Sequence, residues 1–333
     1  MMLIRQINKI PFVKKRYFNS KLLTSTEIDN KSYIWCFFES HFGLHRKNFH
    51  YFHHLYTSYW DYSKEHGPDH WQEIWEFKNC QSPIDIIKQN IEYDNSLKPL
   101  ELITKPIQIN ARNLGFNISF LADNFKSLVL CGGPLKYNYA FREMHFHWGE
   151  VHKGKCNLGC EHTFDGKRFA AELHVVHWNT DLYETDMQAM RSKDGLTVIG
   201  LLIDASDLYE QNKEFNFINE TFRKVLYPNE HTIINISPYF LFPSCVQNYY
   251  TYSGSLTIPP LSENVTWVLF PDPIRISFNQ LSDLSVTHSV EKNSQQKARH
   301  LSTEAGSTII TNNFRPIQPL NNRIVRSSFK NLI

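Results

Sequence analysis

Two short stretches of the sequence combine histidines with carboxylates at a spacing that suits metal binding. The first, "REMHFHWG", carries Glu143, His145 and His147, and the second, "AAELHVVHWN", carries Glu172 and His174. Neighbouring side chains of a β-strand point to opposite faces, so residues two apart share a face. Each stretch therefore predicts a carboxylate beside a histidine on one face of a strand. Neutral imidazoles are common zinc ligands, but ordinary histidines in a half-buried sheet are the alternative.

The three histidines can share one ion only if the two strands are neighbours in a sheet. Three imidazoles would then converge and leave a fourth position open, as a catalytic zinc site requires. The adjoining carboxylates would accept the free ring N–H groups and orient the ligands. The spacing by itself leaves both interpretations open, because a histidine pair on a strand is a weak signal.

The elements that would position these residues are mostly strands. Runs rich in β-branched and aromatic residues, bounded by Gly, Pro, Asn or Asp, occur at 100–111, 116–121, 171–178, 195–205, 249–258 and 265–270. Apolar residues recur at helical spacing between 215 and 225, and a second short helix is expected at 278–284. The predicted fold class is α+β, dominated by one sheet with small helices outside it.

The bulk composition is that of a globular protein of 333 residues. The formal net charge of +2 gives no electrostatic case for nucleic acid as a partner. No apolar run approaches the roughly 18 residues that a membrane span needs. Cys156 and Cys160, in "CNLGC", could form a disulfide, bind a metal or remain free thiols in a loop.

The chain divides into an N-terminal extension, residues 1–58, and one domain, residues 59–330. The first 26 residues contain several Lys and Arg but no Asp or Glu, which is typical of a mitochondrial transit peptide. A basic, disordered tail is the alternative. Residues 287–308 are polar and poor in core residues, and we expect a mobile loop there.

From residue 60 to residue 326 the sequence resembles the α-class carbonic anhydrases. The matching blocks stand in the family's order: "HGPDHW", "CQSPIDI", "HFHWG", "CEHTFD", "AAELHVVHWN", "GSLTIPP", "VTWVLF" and "NNFRPIQPLNNR". The resemblance implies a large, twisted, mostly antiparallel sheet with zinc at the base of a conical cleft. It also implies an enzyme, a zinc lyase that reversibly hydrates carbon dioxide to bicarbonate and a proton. Its small-molecule partners would be carbon dioxide, bicarbonate and water, and no protein partner is implied.

The same resemblance implies a role for each residue of the site. The zinc ligands correspond to His145, His147 and His174. The residues behind these ligands correspond to Glu172, Glu143 and Asn313. The catalytic pair corresponds to Thr257 and Glu161. The Thr257 hydroxyl would accept a hydrogen bond from the hydroxide nucleophile, and Glu161 would fix that hydroxyl as a donor by accepting its hydrogen bond. The residues that contact substrate or order water correspond to Val176, Val198, Leu256, Trp267, Ile258 and Tyr62.

Three residues depart from the pattern of active members of that family. Leu114 stands where a histidine normally carries the proton out of the cleft, and leucine cannot do so; His152, in an enlarged loop, is a candidate substitute. Ile258 stands where threonine or histidine is usual, which either disturbs ordered water or is a tolerated packing change. Glu143 replaces a glutamine, and its charge would make His145 more basic and the metal-bound water less acidic.

Glu143, Ile258 and "GGPLKYNYAF" are also similar to the carbonic anhydrase-related proteins, a non-catalytic branch that keeps the fold but has lost zinc ligands. Because this chain retains all three histidines, we expect an enzyme, slow for its family, rather than such a binding protein. Secreted members commonly carry a disulfide cysteine where this chain has Leu261. We therefore expect the cytoplasm or the mitochondrial matrix, and not secretion.

Overall fold

The computed structural model describes residues 60–75, 78–103, 105–122, 128–152, 155–156, 158–289 and 309–330. The predicted N-terminal extension, 1–58, lies outside these ranges, as do residues 290–308 of the predicted mobile loop. The described helices are α1 (Trp71–Ile74), α2 (Asp186–Ala189), α3 (Lys213–Lys224) and α4 (Phe278–Leu284), with a 3-10 helix at Lys88–Asn90. No helix among the described residues is long and apolar enough to cross a membrane.

Short strands make up most of the regular structure. Along the chain they are β1 (Asp85–Ile86), β2 (Ile91–Tyr93), β3 (Leu100–Leu102), β4 (Ile107–Asn113), β5 (Ile118–Ala122), β6 (Val129–Gly132), β7 (Tyr139–Trp148), β8 (Val151–His152), β9 (Lys155–Cys156), β10 (Thr163–Phe164), β11 (Ala171–Asn179), β12 (Leu196–Ala205), β13 (His231–Ile236), β14 (Tyr250–Gly254), β15 (Val265–Leu269), β16 (Ile274–Ile276) and β17 (Val325–Ser327).

One sheet of 13 strands forms the centre of the protein. Its main path runs in the order β13-β4-β5-β7-β11-β12-β15-β14-β17-β2. Neighbours along this path are antiparallel except for β12 with β15 and β17 with β2. The predicted α+β architecture, a large and mostly antiparallel sheet with small helices outside it, is confirmed.

The two strands that carry the candidate ligands, β7 and β11, lie side by side in the middle of this sheet, and every residue of both is buried. On one face, alternate residues such as Met144 and Leu173 join the main core, where α3 and α4 also pack. On the other face, Val176 joins a second apolar cluster with Val198 and Trp267. A strand covered on both faces holds its side chains in fixed directions, which is what a metal site needs.

The two helices predicted from spacing are present, and each begins at a side-chain cap. Asn212 accepts a hydrogen bond from the backbone N–H of Phe215 at the start of α3. Ser277 and Gln280 form a reciprocal capping box at the start of α4. The first residues of the predicted mobile loop belong to the packed domain, since Thr287 is buried and His288 stacks on Tyr227.

The strand predicted at 249–258 is shorter in the structure and ends at Gly254. A turn follows it, closed by hydrogen bonds from Leu261 N–H to the Ile258 carbonyl and from Leu256 N–H to the Ser262 carbonyl. Pro259 and Pro260 have no N–H group to continue a strand ladder. Thr257 therefore lies in a loop beside the sheet and not on a strand.

Candidate metal centre

The three candidate ligands lie at one point of the sheet. In the antiparallel pairing of β7 with β11, His174 lies opposite His145 and Glu172 lies opposite His147. The ring centroids of the histidines are 5.1, 5.4 and 4.5 Å apart. One nitrogen from each ring lies within 4.8 Å of the others. This separation lets one ion bind all three rings.

His147 is oriented by the backbone of Asn313. Its Nδ1 lies 2.7 Å from the Asn313 carbonyl oxygen and therefore carries the ring hydrogen. Nε2 of His147 is buried and makes no hydrogen bond with any described residue. The Asn313 side chain holds its own position by accepting from Trp148 N–H and donating to the Phe146 carbonyl. A buried, unpaired Nε2 is the arrangement that a metal ligand requires.

His174 is oriented by Glu172. Its Nε2 lies 2.8 Å from Glu172 Oε1, which leaves Nδ1 for a metal. The carboxylate also accepts from the Glu161 and His162 backbone N–H groups at 2.8 and 2.7 Å, and lies 2.7 Å from Nδ1 of His162. Burial raises the pKa of Glu172, but His162 and His174 outweigh that effect and hold the pKa well below its usual range. Glu172 is therefore a fixed anion behind the ligand.

The carboxylate behind His145 lies farther from its ring than the acceptors behind the other two histidines. Its Nδ1 lies 3.5 Å from Glu143 Oε1 and makes no hydrogen bond with any described residue. The other oxygen of that carboxylate, Oε2, accepts from the Ser119 hydroxyl at 3.0 Å and lies 3.2 Å from Nη1 of Arg142. A carboxylate thus lies behind this ligand, and a buried arginine pairs with it.

Burial keeps two of the three candidate ligands neutral. It lowers the pKa of His147 to about 3 and that of His174 to about 4, with a further contribution from neighbouring histidines. Both rings are thus unprotonated at neutral pH, the form that binds metal. Three imidazoles, two of them held by acceptors, fit a zinc ion with one position left for water.

Glu161 lies directly beneath these rings. Its Oε1 accepts from Arg315 N–H at 2.8 Å, while Oε2 makes no hydrogen bond with any described residue. Burial raises the pKa of Glu161, partly offset by His174 and by the nearby hydroxyl of Thr257. The free Oε2 is an acceptor available to the Thr257 hydroxyl.

A cavity opens beside His145 and His174. The predicted substrate residues Val176, Val198, Leu256, Trp267 and Ile258 line it, together with Thr257 and Glu143. Tyr62 is not among its lining residues and packs instead between Trp60 and Trp71. Burial and the charge of Glu161 raise the pKa of Tyr62. The cavity therefore has an aliphatic and aromatic wall next to the candidate ligands.

Sequence reasoning missed other lining residues: Arg142, Met190, Leu196 and Pro259. Strict alternation along β7 would turn Arg142 away from Glu143, but the pairing shifts there. Val176 pairs with Glu143 and His177 pairs with Phe141, so Arg142 is the extra residue of a β-bulge. Phe141 and Met144 accordingly both reach the main core although they are three apart. An arginine in a fully buried strand was the signal that could have identified this residue.

Leu114, which is predicted to stand where a proton-carrying histidine is usual, is buried in a cluster with Ile258. Trp60, Tyr62 and Phe116 pack against these two residues. We call these five residues the Leu114 cluster. The side chain of His152, the proposed substitute carrier, lies outside the described residues, and so does that of Cys156. Cys160 is a buried free thiol whose pKa burial raises to about 12.

Comparison with known proteins agrees with this geometry. Residues 66–329 match the sequence model of the eukaryotic-type carbonic anhydrases. The chain is 36% identical over 277 residues to carbonic anhydrase 7 of Homo sapiens, covering 81% of this chain and 97% of the relative. It is 34% identical over 281 residues to carbonic anhydrase 3 of Homo sapiens, with 81% and 98% covered. Carbonic anhydrase 1 of Mus musculus is 36% identical over 277 residues, with 81% and 98% covered.

Proposed function

Since the chain belongs to the eukaryotic-type carbonic anhydrase family, we propose that it reversibly hydrates carbon dioxide with one zinc ion held by His145, His147 and His174. The observation that carries this proposal is the convergence of the three rings from two paired central strands. When bound, zinc acts as a Lewis acid that activates water near neutral pH, an effect for which the carbonic anhydrases are the standard example.

Thr257 and Glu161 orient the nucleophile in the proposed reaction. Glu161 Oε2 is buried and makes no hydrogen bond with any described residue, so it can accept a hydrogen bond from the Thr257 hydroxyl. A hydroxyl that has donated its hydrogen presents only lone pairs to other groups. Thr257 then accepts from the nucleophile and turns a nucleophile lone pair towards the carbon of the substrate.

The apolar wall holds carbon dioxide. The molecule has almost no capacity for hydrogen bonding, so an aliphatic and aromatic surface is the reasonable way to place it. Val176, Val198 and Trp267 supply such a surface beside His174. Burial of these side chains also keeps water from competing for the same space.

Proton release is the slow step of the proposed reaction. Each hydration leaves a proton that must reach bulk solvent before the next turnover. Leu114 has no ionisable group, and its buried side chain packs against Ile258 where a carrier would stand. We therefore propose an enzyme that is slow for its family and depends on buffer to remove the proton.

Metal content and turnover test the proposal directly. The full chain should contain one zinc per molecule, and stopped-flow hydration should be inhibited by an aromatic sulfonamide. His174→Ala should lose both the metal and the turnover. His177→Gln is the matched control, because His177 lies on the same strand but contacts Tyr239 on the opposite face, and it should retain zinc.

One metal per chain without inhibitable turnover would contradict the enzymatic proposal. It would favour the alternative, a non-catalytic binding protein of the carbonic anhydrase-related type, with which Glu143 and Ile258 agree. The absence of bound zinc would contradict the metal site as well.

A further inference from the structure

We propose that Arg142 is a positioning residue of the proposed metal centre: it holds Oε2 of Glu143 so that the other carboxylate oxygen, Oε1, faces His145. The inference rests on the proposed zinc site and deepens it. It assigns Arg142 a role that acts through its neighbour Glu143.

The β-bulge in β7 makes this contact possible. Because Arg142 is the extra residue of the bulge, its side chain and that of Glu143 both lie on the cavity side of the strand. Bulges commonly redirect a side chain next to an active site. In a regular strand the two adjacent side chains would lie on opposite faces.

Arg142 bridges two carboxylates in a nearly solvent-free place. Its Nη1 lies 3.2 Å from Glu143 Oε2, and its Nε lies 2.9 Å from Asp186 Oδ2 at the start of α2. The side chains are 2%, 7% and 16% exposed for Arg142, Glu143 and Asp186. A buried carboxylate is costly without a partner, and the Arg142 guanidinium supplies a partner to Glu143 in the wall of the cavity.

The same contact fixes the direction of the carboxylate. Glu143 Oε2 faces two donors, Arg142 and the Ser119 hydroxyl, and this leaves Oε1 towards Nδ1 of His145. A carboxylate is an acceptor only, so Oε1, 3.5 Å from Nδ1, favours the ring tautomer with hydrogen on Nδ1 and a lone pair on Nε2 without forming a hydrogen bond to it. Without Arg142, the Glu143 carboxylate would lose one of the two donors that fix its direction, and Oε1 would no longer be held towards His145.

Arg142 should therefore matter only while residue 143 is a carboxylate. A neutral glutamine at that position needs no cation beside it. This dependence separates positioning through Glu143 from any other role of the arginine, and it can be measured as a coupling between two substitutions.

The experiment measures zinc affinity of the full-length protein by competition with a chelator. Arg142→Met, Glu143→Gln and the double variant are compared with the wild type. Arg142→Met should weaken zinc binding about 10–100-fold, as loss of a group behind a ligand usually does. In the Glu143→Gln background the same change should alter the affinity by less than about threefold. Arg326→Met removes a distant arginine–aspartate pair and should leave zinc affinity unchanged.

The direction of the change in zinc affinity distinguishes a role in orienting Glu143 from a direct effect of the Arg142 charge on the ion. If Arg142 acted only through its charge, its removal would take a positive charge away from the ion and zinc would bind more tightly. Tighter binding in Arg142→Met would overturn the inference. So would an equal loss in the two backgrounds, or a lower melting temperature with unchanged zinc affinity.

Arg142→Lys covers the case in which the methionine variant does not fold. The lysine keeps a charge but not the planar fork of donors, so a smaller loss of affinity is expected, again absent in the Glu143→Gln background. A wild-type chain that binds no zinc would contradict the proposed metal site itself. If the wild-type chain binds zinc and neither Arg142 variant changes the zinc affinity, only the inference about Arg142 is contradicted.

Discussion

The candidate metal centre lies at the cavity and the Leu114 cluster reaches the cavity through Ile258, but the two regions are built from different kinds of structure. The three histidines belong to β7 and β11, whose register is fixed by pairing on both sides. All five residues of the Leu114 cluster lie in segments between strands and helices. A change of residue type on a central strand disturbs several neighbours at once, whereas a loop residue can change while the sheet stays intact. The proposed metal site can therefore persist in a chain that has a leucine at position 114.

The electrostatic surroundings of the two regions differ as well. Behind the histidines lie three carboxylates, each with its own hydrogen-bond donors. The Leu114 cluster contributes leucine, isoleucine and aromatic rings, with tyrosine as its one hydroxyl. Metal binding should thus be robust, while proton transfer on that side of the cavity should be poor.

The largest effect is expected for a change on the border between the two regions. Thr257→Val keeps the shape of the side chain and removes the hydroxyl, so kcat/KM should fall about 10²-fold or more while zinc content stays at one per chain. Stopped-flow hydration and metal analysis give both numbers. Thr251→Val serves as the control, since Thr251 is equally buried but does not line the cavity. Unchanged turnover in Thr257→Val would mean that this loop takes no part in the reaction.

An intermediate effect is expected when the Leu114 cluster is given a proton carrier. The wild-type turnover should rise strongly with imidazole concentration, because buffer replaces the missing histidine. Leu114→His alone should help little, since Ile258 packs against that position and burial keeps a histidine neutral. The double variant Leu114→His with Ile258→Thr opens the site, and its turnover in weak buffer should rise by up to about 10²-fold.

The dependence on imidazole checks this interpretation. Turnover of the double variant should respond much less to added imidazole than turnover of the wild type. A wild-type rate that is already independent of imidazole would show that another group removes the proton, and the comparison of the two regions would fail.

The smallest effect concerns the stability of the strands that carry the ligands. Burial lowers the pKa of His177 to about 3, below the ordinary value of 6.5. Between these two pH values the unfolded chain binds a proton that the folded chain does not, so stability falls as pH decreases below 6.5. The free energy of unfolding of the metal-free protein should decrease by about 1.4 kcal/mol per pH unit for this residue alone.

Denaturant titrations of wild type and His177→Gln between pH 7.5 and pH 5 measure this contribution. The variant should lose less stability on acidification, by roughly the amount assigned to one histidine. Parallel curves for the two proteins would mean that His177 is already protonated in the folded state.

Much of this arrangement could be predicted from the sequence. The two-residue repeat of β7 and β11 identified which face each histidine occupies, and the 3.6-residue repeat identified α3. These periods follow from backbone geometry and need no partner. The length of the strand before Thr257 was overestimated, because a β-rich composition does not mark where a proline-containing turn ends the pairing.

The sequence by itself determined the residue types of the site: three imidazoles, a carboxylate two residues before each of two of them, and an aliphatic wall. Only the tertiary structure decided that β7 and β11 are neighbours in a register that sets His174 opposite His145. It also decided that a bulge turns Arg142 into the cavity and that Leu114 packs under Ile258. The physical reason is that local sequence fixes the direction of a side chain relative to its own strand, whereas pairing and packing between distant segments fix what that side chain meets.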